Sequence, residues 1–172
     1  MATASTLSRR AFLTGGRTAT TAHVAPPAIA PPGVRSDWIE ACTGCGACVD
    51  ACPTGIIRLV EEVPGVDFSI GECVFCGGCA EACPEPVFED TGPPTFPHTV
   101  EISDTCLVQA GIACMTCRDA CPSEAVTLRP RIGGPFLPEI DAERCTGCGA
   151  CIAPCPVDAI SVSTEPTEPA DA

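Results

Sequence analysis

An α+β protein of two small tandem units, entered through a tail without regular structure, is what this sequence predicts. Three observations lead there. All 16 cysteines of the 172 residues fall into four near-copies of one short run, each closing on Cys-Pro. The runs come in two pairs, with 31 residues from Cys45 to Cys76 and 34 from Cys114 to Cys148. Short apolar stretches follow three of the runs, at Ile56 to Val60, Ala125 to Leu128 and Ala159 to Val162. Each reads as a helical turn leading into a single strand, so the sheets are small and antiparallel.

In chain order, residues 1–35 are expected to be a flexible basic tail rich in Pro and Ala. Pro26-Pro27 and Pro31-Pro32 deny it regular structure. The first unit is expected over 36–103 and the second over 104–165. Their boundary rests on the stretch from Thr91 to His98, which holds Pro93, Pro94 and Pro97. Pro130 to Pro138, with Gly133, Gly134 and Pro135, is expected to be a turn or loop, and it matches no phosphate-binding glycine pattern. Residues 166–172 are expected to be a flexible acidic tail.

The cysteine runs carry the chemistry. They are Cys42-x2-Cys45-x2-Cys48-x3-Cys52, Cys73-x2-Cys76-x2-Cys79-x3-Cys83, Cys106-x7-Cys114-x2-Cys117-x3-Cys121 and Cys145-x2-Cys148-x2-Cys151-x3-Cys155. This is the bacterial ferredoxin spacing for a [4Fe–4S] cluster. Three cysteines two residues apart wrap one loop around three irons, and the fourth is too far along to reach the same cluster. In two-cluster ferredoxins the fourth ligates the neighbouring cluster. The expected ligand sets are therefore Cys42, Cys45, Cys48 with Cys83; Cys73, Cys76, Cys79 with Cys52; Cys106, Cys114, Cys117 with Cys155; and Cys145, Cys148, Cys151 with Cys121.

Gly44, Gly46, Gly77, Gly78, Gly147 and Gly149 sit between ligands, where a loop must turn tightly and bring N–H groups to sulfur. Disulfide scaffolds are short secreted chains without this fourfold repeat, and zinc sites use well-separated Cys-x2-Cys pairs. The third run departs from the pattern because Cys106 must loop in across Leu107 to Ala113. It leaves a full cluster, a three-cysteine cluster or none as open readings, hence four clusters, or at least three.

Aromatics are 4% of the chain, with no tyrosine and one tryptophan, which is thin for an ordinary core. The clusters are expected to staple the fold, which makes folding depend on metal. Charge is polarised. Residues 1–35 carry Arg9, Arg10, Arg17 and Arg35 and no acid, while the rest holds five arginines and all 22 acids. That is +4 against −17 within a net charge of −13. Such a body repels nucleic acid and favours a basic docking face. No stretch approaches the roughly 20 apolar residues of a membrane span. His23 and His98 show no ligand pattern, and Trp38 is expected at the edge of the first unit. Every cysteine is claimed by a cluster, so no independent active site is expected.

Ser8-Arg9-Arg10-Ala11-Phe12-Leu13 looks like a twin-arginine export motif, and Ala28-Ile29-Ala30 resembles a small-residue cleavage site. The residues after Leu13 lack the apolar segment that a signal peptide needs.

The stretch Leu7 to Gly15, the irregular third run and the final string from Cys145 to Val157 together carry a family resemblance. The chain resembles the NapF family, ferredoxin-type accessory proteins of the periplasmic nitrate reductase system. That resemblance implies a cytoplasmic, non-catalytic iron–sulfur protein. Its implied partner is the immature, molybdenum-containing catalytic subunit of the reductase, matured before export. The Pro/Ala-rich segment at 19–34 is longer than the family pattern. An electron carrier or iron–sulfur subunit of a membrane-bound or exported oxidoreductase, reaching the periplasm by twin-arginine export, is the alternative reading.

Overall fold

The computed structural model describes residues 29–89 and 95–163. The arginine pair at 9 and 10, residues 1–28 of the expected tail, Pro93, Pro94 and the acidic end lie outside the described residues.

The first half contains α1 (Trp38–Ala41), α2 (Ala47–Asp50), β1 (Ile57–Val60), β2 (Val63–Val66) and α3 (Gly78–Glu81). The second contains β3 (Thr99–Ile102), α4 (Thr116–Ala120), β4 (Val126–Arg129), β5 (Leu137–Ile140) and β6 (Ile160–Ser163). Among the described residues these form three two-stranded antiparallel sheets, β1–β2, β4–β5 and β3–β6. β1 and β2 pair from Ile57↔Val66 to Val60↔Val63. Their two-residue connection puts Glu61 and Glu62 at φ 51° and 68°, the doubly left-handed geometry of a type I′ hairpin turn. β5 starts inside the stretch expected to be a loop, and Pro138 pairs with Leu128. A two-stranded sheet is all edge, so a proline can face away from its partner without losing a ladder bond.

The two halves repeat one plan. In the second, β3 joins the entering chain to the leaving one through Val100↔Val162. In the first, a single bridge Val34↔Phe88 takes that place, flanked by Arg35 N–H to Val87 O at 3.0 Å and Glu89 N–H to Gly33 O at 2.8 Å.

Three expectations are thereby corrected. Residues 29–35 do not behave as tail. Pro31 and Pro32 are buried, and Ile29 O accepts from Val66 N–H at 2.9 Å. Proline forbids helix but lies well along a sheet edge, where its missing N–H costs nothing. Residues 99–102, expected to close the first unit, pair with β6 in the second. The helical turns fall inside the cysteine runs and not at the start of the apolar stretches, and the fourth run has turns alone.

The core is built around the cysteines. After three of the runs comes a buried pair, Ile56-Ile57, Ala125-Val126 and Ala159-Ile160, each residue at most 6% exposed. One cluster joins Cys48, Ile56, Ile57, Phe68 and Phe96, and a second joins Val100, Cys151 and Ile160. Ile152, from the second half, packs on both. Trp38 is half-buried in α1.

Candidate metal centres

In runs one, two and four the residue just before the second cysteine takes positive φ: Gly44 at 66°, Phe75 at 51° and Gly147 at 72°. The residue just after it does the same, with Gly46 at 79°, Gly77 at 76° and Gly149 at 76°. Two left-handed residues curl the loop so that three side chains point to one centre. Phe75 holds this shape without glycine's freedom, at a cost of about 1–2 kcal/mol. The third run breaks the pattern, since Met115 after Cys114 sits at φ −129°. Its seven-residue gap supplies the turn instead, through Ile112 N–H to Leu107 O at 3.0 Å.

The loops bring the cysteines together in fours. Cys42, Cys45, Cys48 and Cys83 line one void, and Cys52, Cys73, Cys76 and Cys79 line another. Cys106, Cys114, Cys117 and Cys155 surround the third, and Cys121, Cys145, Cys148 and Cys151 the fourth. Each quartet takes three thiols from its own loop and one from the loop of its pseudo-symmetric partner. The irregular third run closes its quartet like the others. All 16 thiols are free of disulfides. Among the described residues no His, Cys, Asp or Glu group closes on a single-ion site. Four thiols lining one void are the donor set of a [4Fe–4S] cluster.

The Cys-Pro exits serve the same centres. After Cys52, Cys121 and Cys155 the third residue on is left-handed: Gly55 at φ 66°, Glu124 at 51° and Asp158 at 49°. That turn swings the next amide back to the sulfur, Ala125 N–H to Cys121 Sγ and Ala159 N–H to Cys155 Sγ, both at 3.3 Å. Pro86 stands at this place in the second run and cannot adopt positive φ. Hydroxyls add donors. Thr54 Oγ1 lies 3.5 Å from Cys52 Sγ, Ser123 Oγ 3.4 Å from Cys121 Sγ and Thr116 Oγ1 3.5 Å from Cys114 Sγ.

Electrostatics divide the thiols by place. Burial, and after it the nearby Cys148, Cys145 and Cys121, pushes Cys151 up to about 12. Burial likewise raises Cys48, Cys73, Cys79 and Cys117, reinforced by nearby cysteines, which for Cys48 include Cys79 of the second quartet and for Cys73 include Cys148 of the fourth. At Cys52 and Cys121 burial pulls upward but is outweighed by the Thr54 and Ser123 hydroxyls and by backbone N–H groups, so both are lowered. Cys114 is lowered by the hydroxyl and N–H of Thr116. Crowded thiols hold their protons until a cation compensates, so binding iron must displace them.

His98 carries no sequence signal beyond a proline-rich neighbourhood, yet it is 5% exposed, with Nε2 2.9 Å from Gly147 O. Phe96 lies against it at a ring-centroid distance of 4.8 Å, and Phe68 meets Phe96 edge-on at 5.5 Å. Phe68 and Phe96 stood out no better in the sequence. The cue for all three is closeness to glycines of the fourth run, which only folding creates.

Comparison with known proteins agrees with this geometry. The family model of the 4Fe–4S dicluster domain matches residues 41–87 and 112–159. The ferredoxin-type protein NapF of Haemophilus influenzae is 40% identical over 139 residues, covering 76% of this chain and 79% of that protein. NapF of Escherichia coli K12 is 37% identical over 155 residues, 90% of this chain and 93% of its own length. The methylamine utilization ferredoxin-type protein MauM of Methylorubrum extorquens is 32% identical over 173 residues, 82% of this chain and 74% of its own.

Proposed function

Because the chain belongs to the NapF family of ferredoxin-type proteins and carries 4Fe–4S dicluster domains, we propose that it is a non-catalytic partner in maturing the molybdenum-containing catalytic subunit of a periplasmic nitrate reductase. The observation that carries this reading is the likeness to E. coli NapF along 90% of the chain. Each of the four quartets would hold one [4Fe–4S] cluster, with the ligands that line each void. When bound, such a cluster supplies one-electron redox chemistry. The protein's own residues do the rest. The loops set the thiol directions, and the N–H and hydroxyl donors stabilise negative charge on sulfur. Acidic residues favour a basic docking face.

We place the protein in the cytoplasm. Support comes from Ile29, whose carbonyl pairs with Val66 and whose side chain packs on the first core. Cleavage after Ala30 would remove both contacts. Among the described residues no helix is long and apolar enough to cross a membrane.

The likeness to MauM supports a second reading, an electron-transfer component of another oxidoreductase. An anaerobic pull-down on a carboxyl-terminal tag, with mass spectrometry of partners and of the first residue, separates the two. Arg9 and Arg10 intact, with an unprocessed molybdenum reductase subunit bound, is the expected result. A chain trimmed near Ala30 and bound to membrane redox subunits would overturn it.

A further inference from the structure

We infer that the four quartets form one unbranched row, in the order first, second, fourth, third, and that the row crosses between the two halves at Cys73 and Cys148. This rests on the quartets holding clusters, and not on which enzyme the protein serves.

The crossing is a direct bond. Cys73 N–H donates to Cys148 O at 2.9 Å. Cys73 is a thiol of the second quartet and Cys148 of the fourth. The residues around the bond are packed to fit. A Cβ on Gly149 would strike the Phe68 ring, and one on Gly147 would come within 2.8 Å of Phe96 Cβ and of His98 O. His98 Nε2 bonds to Gly147 O on the same side. The fourth loop is thus seated through Gly147 and Gly149 on Phe68 of the first half and on Phe96 and His98 of the stretch that joins the halves.

The other two quartets are each enclosed by residues of one half alone. The first void is completed by Leu59, Pro64 and Val87, all from the first half. The third is completed by Leu107, Pro138 and Val157, all from the second. Within each half the swapped fourth cysteines tie the quartets in pairs. The only order consistent with these neighbours puts the first and third quartets at the ends. Electron transfer falls exponentially with distance, so with clusters held by these four quartets an electron from a one-electron reductant would pass between neighbours in this order, each transfer oxidising one site as it reduces the next.

The test removes the ends and asks whether the middle is joined. The full-length Cys45→Ala/Cys114→Ala double variant, reconstituted anaerobically, should retain about half the iron of the unaltered chain. Reduced with dithionite or a europium chelate to two spins per chain, it should give a broadened, spin-coupled electron paramagnetic resonance spectrum. Two independent narrow signals at the same spin count would overturn the row. The converse double variant, Cys76→Ala/Cys148→Ala, should give uncoupled signals, and coupling there would also overturn it. Should neither double variant accept iron, the loaded, unaltered chain decides. Slow hydrogen exchange at the Cys73 amide is expected, and fast exchange sinks the crossing. Failure of the unaltered chain to take up about four clusters would instead count against the quartet assignment itself.

Discussion

His98 Nε2 lies 2.9 Å from the carbonyl oxygen of Gly147, 49 residues further along the chain. The bond fixes one peptide of the fourth cysteine loop from outside that loop. With a neutral ring, the Nε2–H tautomer donates and the carbonyl accepts.

Replacing this donor should loosen the fourth loop. For His98→Ala we expect a loss of about 1–3 kcal/mol in denaturant unfolding of the loaded protein, the cost of leaving a buried carbonyl unpaired. His98→Gln, whose amide can donate, should recover part of that loss. Equal destabilisation in both variants would show that ring packing, not the bond, is what matters.

The same residue gives a pH dependence. Burial lowers His98 below its ordinary 6.5, against the opposing pull of the Gly147 carbonyl. Well above pH 6.5 neither the folded nor the unfolded chain holds the proton, so stability is complete. Below it the unfolded chain protonates first, and stability falls until the folded imidazole protonates as well. Acid also releases iron, so the readout is the difference between the unaltered chain and His98→Gln. That difference should shrink as pH drops from 7 to 5. A constant difference would exclude this titration as the cause.

Gly149→Ala should cost the fourth quartet its cluster. Glycine there sits at φ 76°, and an added methyl meets Phe68. Left-handed strain of about 1–2 kcal/mol adds to overpacking of about 1–3 kcal/mol. Iron content should fall by about one cluster per chain. Phe68→Ala in the same chain should restore only part of it, because the strain remains. Unchanged iron in Gly149→Ala alone would contradict this geometry.

The hydroxyls near sulfur should tune potentials. A donor to sulfur stabilises the reduced, more negative cluster, so removing it lowers the potential. Ser123→Ala and Thr54→Val remove hydroxyls 3.4 Å from Cys121 Sγ and 3.5 Å from Cys52 Sγ. Each should shift one cluster negative by tens of millivolts, about 1 kcal/mol for one electron. A redox titration with no wave displaced would refute the role.

Iron removal should unfold the chain. Cys48, Cys148 and Cys151 stand in the protein interior, and Cys48 and Cys151 belong to its two cores. Chelation under oxygen-free reducing conditions should abolish the cooperative unfolding transition and open all 16 thiols to alkylation. A sharp transition surviving in iron-free protein would mean that the apolar residues suffice.

The chemistry was legible in the residues alone because a cubane imposes local spacing. Three thiols two residues apart, a Cys-Pro exit and glycines at fixed places are demands on a dozen consecutive residues. Each void is lined by three cysteines of one run and the fourth of its paired run, the sets proposed above as cluster ligands. The placement of Ile29 to Arg35 was not legible, since prolines that break a helix serve equally in a tail or along a sheet edge. Nor was the pairing of Val100 with Val162, because a lone four-residue strand carries no mark of its partner. His98, Phe68 and Phe96 looked ordinary for the same reason. Their meaning lies in contact with Gly147 and Gly149, and contact across so many residues is settled only when two folded halves meet. Local thiol geometry thus came from the sequence, whereas the joining of the halves at Cys73 and Cys148 came from tertiary packing, where shape and buried hydrogen bonds decide.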